Sequence, residues 1–381
     1  MNGEPRLLGV ICEFDPFHNG HARLLRLLRE RTGCDGVVCA MSGSFTQRGE
    51  AAIVSKWARA EMALRCGADL VFELPALFAV RDAAHFAAGG VQLLAALGAE
   101  WLGFGSETGA LAPLRTAAQA ELDADALRAG LARGESFARA RGAILPPNDT
   151  LAVEYLRALK KTAVRPVTLR REGGGYHDAQ MGTLASATAI RQAMRRGDPC
   201  ADSMPEAAHA VLARETARGA YQAPGGLDAL TLGRLRLMRA EEIERIPEVS
   251  EGLENRLLRA AQACGTREDA LCAAKCKRYT RARLSRAMTQ ALLGMDKALC
   301  AAVPQPPYAR LLGFRHEASE LLHAVTRRAK IPVETRGARL REIGGETFAL
   351  DMRATDLWAL GCEKAACRAA CRDLTEKMLV I

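Results

Sequence analysis

Two periods of apolar residues run through the N-terminal part of the chain. Short, mostly apolar runs, Leu7 to Cys12, Gly36 to Met41, Asp69 to Leu74, Glu100 to Phe104 and Val164 to Leu169, are separated by turn residues and polar stretches. Runs of that length predict buried strands. Between them the apolar positions recur at helical spacing: Leu24, Leu25, Leu27 and Leu28, then Trp57 to Cys66, then the alanine-rich Asp82 to Leu97. Gly67 suits a helix C-cap. Strand, helix and strand in succession predict an α/β fold with a parallel sheet, whose ligands sit beyond the carboxyl ends of the strands.

Further along, residues 111–143 read as a charged helical insertion. Pro146-Pro147-Asn148-Asp149 interrupts it, and Leu151 to Lys161 predicts another helix with Asn148 or Asp149 as its N-cap. Breaks at Gly197-Asp198-Pro199, Met204-Pro205 and Ala223-Pro224-Gly225-Gly226 place a domain boundary near residue 223. Residues 1–222 would form the α/β domain and residues 223–381 a mainly helical one. Within the latter, Ile343 to Phe348 reads as a short turn and strand.

The first predicted strand ends in Glu13-Phe14-Asp15-Pro16-Phe17-His18-Asn19-Gly20-His21, where it hands over to a helix. A helix N-terminus offers unpaired N–H groups and a favourable dipole to an anion such as phosphate. Gly20 permits close backbone approach, and His18 and His21, three apart, share one side of the first turn. A cap or a surface histidine is the plainer reading of either residue alone. Ala185-Ser186-Ala187-Thr188-Ala189-Ile190-Arg191 makes a second anion site of the same kind, with a hydroxyl cap and a guanidinium one turn inside the helix. Arg48 and Lys56 are basic residues near the second strand's end, available to phosphate or carboxylate. Arg170-Arg171-Glu172 before Gly173-Gly174-Gly175 forms a cationic loop, and Arg offers fork-shaped donors to phosphate.

Phe14 to His21 resembles the HxGH motif of the nucleotidyltransferase superfamily. More narrowly it is similar to the YNPFHNGH motif of bacterial tRNA-Met cytidine acetate ligases, with Phe14 and Asp15 in place of Tyr and Asn. Asp15 adds a negative charge that a metal ion or a basic neighbour must offset. Ser186 to Arg191 resembles the superfamily's ISSTxxR motif, and MSGSFTQRGE, FGSETG, PNDTLAVEY, GGGYHD, YTRARLSR and LLGF resemble the ligase blocks in order. The resemblance implies a Rossmann-like parallel-sheet nucleotidyltransferase domain followed by a basic helical part. It implies ATP bound by Ile11, Cys12, Glu13, Phe14, Asp15, Pro16, Phe17, His18, Asn19, Gly20, His21, Ala22, Arg23 and Leu24, with Gly105, Asn148, Arg171, Glu172, Ser186, Thr188 and Arg191. His18, His21 and Arg191 would be the catalytic residues, and Mg²⁺ is expected with ATP. The implied reaction is acetylation of N4 of the wobble cytidine of elongator tRNA-Met, with acetate activated as acetyl-adenylate. A small-molecule adenylyltransferase of cofactor synthesis and a non-enzymatic RNA-binding protein on the same fold stay open as alternatives.

Composition narrows this picture. In 381 residues, 49% are hydrophobic and 25% charged, which suits a folded chain with a substantial core. No apolar run is long enough to predict a transmembrane helix, and the N-terminus lacks a secretory pattern, so a cytoplasmic protein is expected. The net charge of +9 allows an RNA partner. Arg278, Arg281, Arg283 and Arg286 form a basic stripe suited to a tRNA backbone, with a solvated helical face as the plainer reading. The twelve cysteines form no CxxC pair and read as reduced thiols, with no metal site expected. The oligomeric state stays open.

Overall fold

The computed structural model describes residues 4–120, 130, 132–133, 145–171 and 182–381. Five parallel strands form its centre in the order β5 (Arg165–Arg170), β4 (Trp101–Ser106), β1 (Leu7–Cys12), β2 (Gly36–Ser42) and β3 (Leu70–Leu74). Leu7 to Cys12 pair in register with Gly36 to Met41. The strands alternate sides as a period of two requires: Leu8, Val10 and Cys12 enter one core layer, and Leu7 enters the other. Helix α1 (Asn19–Thr32) covers the first face with Leu25 and Leu28. On the second face, Leu94 and Gly90 of the helix Ala83–Ala96 approach Gly9 and Ile11 of β1. β1 lies between β2 and β4, so the strand order reverses there, and open α/β sheets bind ligands at such a point.

The sheet does not end at residue 222. β6 (Ala309–Phe314) runs antiparallel to β3, and β7 (Val333–Glu334) and β8 (Leu379–Val380) pair with β6. Residues 223–381 therefore divide into a helical unit and a return to the sheet. β6 is buried along Ala309–Gly313, which is why it needs the sheet rather than solvent beside it. The helical unit has its own core, including Leu235, Ile243, Leu257, Leu271, Leu284 and Met288. Its central helix, Arg281–Leu293, touches the α/β part through Gln290 Nε2, which donates to Val80 O at 2.7 Å. Ile343 to Phe348 is not a turn and strand. It lies within the helix Gly337–Leu360, kinked at Gly345, whose φ of 49° a glycine adopts without penalty.

A fully buried ionic cluster ties this return to β3. Lys56 Nζ lies 2.7 Å and 2.9 Å from the Glu73 carboxylate oxygens and 2.6 Å from Asp373 Oδ1, and Arg310 pairs with both acids. Lys56 thus starts the helix α2 (Lys56–Arg65) with its charge neutralised inside the protein, not held out to a phosphate. All twelve cysteines are free thiols. Among the described residues no helix is long and apolar enough to cross a membrane.

Candidate active site

The two histidines of the first motif close the start of α1. His18 is its N-cap: Nδ1 accepts the Gly20 N–H at 3.1 Å, while His21 Nδ1 accepts the His18 N–H at 3.3 Å. Both Nδ1 atoms are acceptors, so the ring proton of each neutral imidazole sits on Nε2. The rings stack with centroids 3.6 Å apart, and His21 stands edge-on to Phe14 at 5.0 Å. Burial pushes His18 down to about 3, helped by Arg171 and Arg191. Burial and the His18 neighbour hold His21 well below its ordinary value. The pair caps the helix while staying neutral, each ring keeping its Nε2–H, and the positive charge nearby comes from Arg171 and Arg191.

The second motif faces the first. Ser186 caps the helix Ala187–Arg196, accepting the Ala189 N–H at 3.1 Å. Arg191 Nη1 reaches back to the Asp15 carbonyl at 2.5 Å, and Nη2 donates to Thr188 Oγ1 at 3.3 Å. Asn19 Nδ2 donates to the Thr183 and Asp202 carbonyls, both at 2.9 Å, so its amide locks the two segments together. His18, Gly20, Arg23 and Leu24 line one side of a cavity whose other side is Arg171, Ala185 and Ser186.

Asp15 fits this arrangement. Its Oδ1 accepts the Ile53 N–H at 2.6 Å, and Oδ2 lies 3.5 Å from Arg191. Basic neighbours offset the charge. Glu13 is likewise tethered, its Oε1 accepting the Gln47 N–H at 2.6 Å, and burial raises its carboxyl. Phe14 and Phe17 are buried supports, Ala22 packs into the same core layer, and Pro16 is buried between them. Ile11 and Cys12 lie beneath the motif in β1, Ile11 against Gly90 and the Cys12 thiol 3.8 Å from the Ala40 carbonyl. At Gly105 a Cβ would come within 3.0 Å of Arg171 and 3.8 Å of Leu24, so the Arg171 side chain packs directly over the glycine.

Several expectations change. Asn148 and Asp149 do not cap their helix, because Pro146 holds the N-cap of Pro147–Leu159. Asn148 Nδ2 donates to Glu107 Oε1 at 2.7 Å, and Glu107 also accepts the first amides of the helix. Arg286 is buried and binds Glu248 with both Nε (2.8 Å) and Nη2 (3.1 Å). Arg283 donates to the Glu248 carbonyl and Ser250 Oγ. These two staple the loop before residue 253 rather than facing outward. Arg281 pairs with Glu268 and Arg278 lies 3.5 Å from Glu251, both nearer the surface beside exposed Lys275 and Lys277. Glu172 lies outside the described residues.

Sequence reasoning missed Arg59. Its buried guanidinium donates to the carbonyls of Glu13 (2.6 Å), Ser42 (3.1 Å) and Gly43, pinning the ends of β1 and β2 together. An arginine inside the otherwise alanine-rich face Trp57–Leu64 was the available signal. Among the described residues no group of three or more His, Cys, Asp or Glu is arranged to hold a metal ion.

The geometry is matched by known proteins. The HIGH Nucleotidyl Transferase family model matches residues 6–373. A tRNA(Met) cytidine acetate ligase of Syntrophomonas wolfei is 37% identical over 97% of this chain and 98% of its own. One from Syntrophotalea carbinolica is 39% identical over 88% and 86%. Thermotoga maritima TmcAL, in a crystal structure bound with alpha-thio ATP, superposes with a TM-score of 0.91 at 32% identity and 99% coverage of both chains. Its apo form gives 0.92. By these matches along nearly its whole length, the chain belongs to the HIGH nucleotidyl transferase family and, within it, to the tRNA(Met) cytidine acetate ligases, an enzyme family of the ligase class.

Proposed function

We propose that the protein acetylates N4 of the wobble cytidine of elongator tRNA-Met, using ATP and acetate. Acetate does not acylate an amine unaided. Its carboxylate oxygen therefore attacks the α-phosphorus of ATP, the bond to the β-phosphate oxygen breaks, and acetyl-adenylate and pyrophosphate form. The cytidine N4 then attacks the acetyl carbon, AMP leaves with its oxygen, and N4 loses a proton. Such transfers depend on positioning and on stabilising charge at oxygen.

The observation that carries this reading is the convergence of two helix starts on one cavity, His18 and Gly20 from one side and Ser186 from the other. His18 and His21 donate Nε2–H to phosphate oxygens. Arg191, with the hydroxyls of Ser186 and Thr188, receives the departing pyrophosphate. Gly105, Asn148, Arg171 and Glu172 serve the adenosine end. ATP enters as its Mg²⁺ complex. The metal would offset triphosphate charge, and Asp15, engaged by Ile53 and Arg191, would stay with those partners. The tRNA lies on the helical unit, along the edge holding Lys275, Lys277, Arg278 and Arg281, and the enzyme works in the cytoplasm.

One assay tests the reading: protein, ATP, Mg²⁺ and labelled acetate are incubated with total tRNA, and the labelled nucleoside is identified. N4-acetylcytidine in tRNA-Met is expected. Label in a small nucleotide product, or none in RNA, overturns it.

A further inference from the structure

The loop after β2, Thr46-Gln47-Arg48-Gly49-Glu50, is held far more firmly than a surface turn requires. Its ends close on each other, with Thr46 N–H donating to Glu50 O and Gly49 N–H to Thr46 O, both at 2.9 Å. The Gly49 carbonyl then accepts from three side chains of the helical unit: Arg267 Nη2 at 2.8 Å, Ser285 Oγ at 3.2 Å and Thr289 Oγ1 at 2.5 Å. Gly49 has a φ of +75°, and a Cβ there would lie 2.6 Å from the Arg286 backbone. The loop is thus seated directly on the helix Arg281–Leu293.

This seating fixes Glu50. Its Oε2 lies 3.9 Å from Arg191 Nη2, too long for a hydrogen bond but well within the range of a direct charge interaction. Arg191 is only 13% exposed, and its nearer carboxylate, Asp15 at 3.5 Å, is also tied to the Ile53 N–H. Arg267 holds the neighbouring Gly49 carbonyl at 2.8 Å, and burial acts downward on its guanidinium while the Glu50 carboxylate is the largest charge acting the other way. A carboxylate whose loop is seated on the helical unit therefore bears on the guanidinium of the anion site, alongside Asp15 at 3.5 Å.

We propose that Glu50, placed by the seating of its loop on the helical unit, is a counter-charge that sets how tightly Arg191 grips the pyrophosphate leaving the site. This rests on the assignment of Arg191 to the phosphates. An incoming pyrophosphate competes with Glu50 for Arg191. A product held by unopposed arginine would leave slowly, and the carboxylate favours its release. The helical unit, through its hold on the Gly49 carbonyl, sets where this charge stands. Glu50 and Arg267 are positioning residues and touch no reacting atom.

Calorimetric binding of inorganic pyrophosphate to the full-length protein tests this, because it involves neither acid nor tRNA. Glu50→Gln should tighten pyrophosphate binding about fivefold, the effect of one charge about 4 Å away in a largely aqueous setting. Glu50→Asp, which keeps the charge but withdraws it by one methylene, should tighten binding less. The gain in Glu50→Gln should shrink as salt is raised, a dependence that a packing defect would not give. Unchanged affinity in Glu50→Gln, or a gain that is the same at low and high salt, overturns the proposal. If acetate proves to be the wrong acid, these affinities are unaffected, so the two failures are distinguishable.

Discussion

His21 makes a cap contact and, in the proposed function, a phosphate contact, and two substitutions pull them apart. Its Nδ1 caps α1 by accepting the His18 N–H at 3.3 Å, and its Nε2–H is left to donate to a phosphate. The side chain of Asn places its amide group near the Nδ1 position, and that of Gln reaches toward Nε2. His21→Asn therefore keeps an acceptor for the cap but removes the donor, while His21→Gln does the reverse. Losing one preorganised donor to developing charge costs about 3 kcal/mol in the barrier, roughly 150-fold in rate. Losing a cap costs about 1 kcal/mol of stability. Acetate-dependent exchange of pyrophosphate into ATP measures the first quantity, and urea unfolding measures the second. His21→Asn should fold like the parent and lose at least about a hundredfold in exchange. His21→Gln should keep far more activity while losing about 1 kcal/mol of stability. Full exchange in His21→Asn would refute the phosphate assignment, and near-total loss in both with equal destabilisation would make the residue purely structural.

Other outcomes follow from the same contacts. His18 is neutral in the folded protein with its pKa at about 3, whereas the unfolded chain takes up a proton near pH 6.5. Its contribution to stability is therefore complete above about pH 6.5 and is lost as pH falls toward 3, by about 1.4 kcal/mol per unit, read by urea melts at pH 7.0 and 5.5. Because the imidazoles act uncharged, exchange should show no inflection near pH 6.5. Lys56→Met leaves Glu73 and Asp373 buried with one cation fewer and should cost about 3–5 kcal/mol of stability in urea titration, with no specific effect on the affinity for ATP. Lys277→Ala should lower the salt slope of tRNA binding by about 0.7–0.9, as for one lost phosphate contact, whereas Arg286→Ala should destabilise the helical unit and leave the slope unchanged.

The sheet strands and both helix-start motifs were legible because local pattern decides them. An apolar run closed by a turn has few alternatives, and His18, Gly20, Ser186 and Arg191 act within one helical turn of their neighbours. What escaped depends on partners far away in the chain. Lys56 and Arg286 look like surface cations until Glu73, Asp373 and Glu248 are brought against them. Asn148 has the composition of a cap, yet Pro146 takes that place and Glu107, 41 residues earlier, claims its amide. β6 carries an ordinary short apolar run, and nothing nearby indicates that it crosses back to β3. Gly345 hides in the same way, since a glycine pair suggests a turn, while the surrounding helix absorbs the kink.

The central claim is that a triphosphate is clasped between the start of α1 and the start of the helix Ala187–Arg196. A crystal structure of this protein with a non-hydrolysable ATP analogue tests it most directly. Phosphate oxygens should lie within hydrogen-bonding distance of Nε2 of His18 and His21 on one side and of Ser186, Thr188 and Arg191 on the other. Phosphates bound elsewhere, with both imidazoles turned away from them, would contradict it.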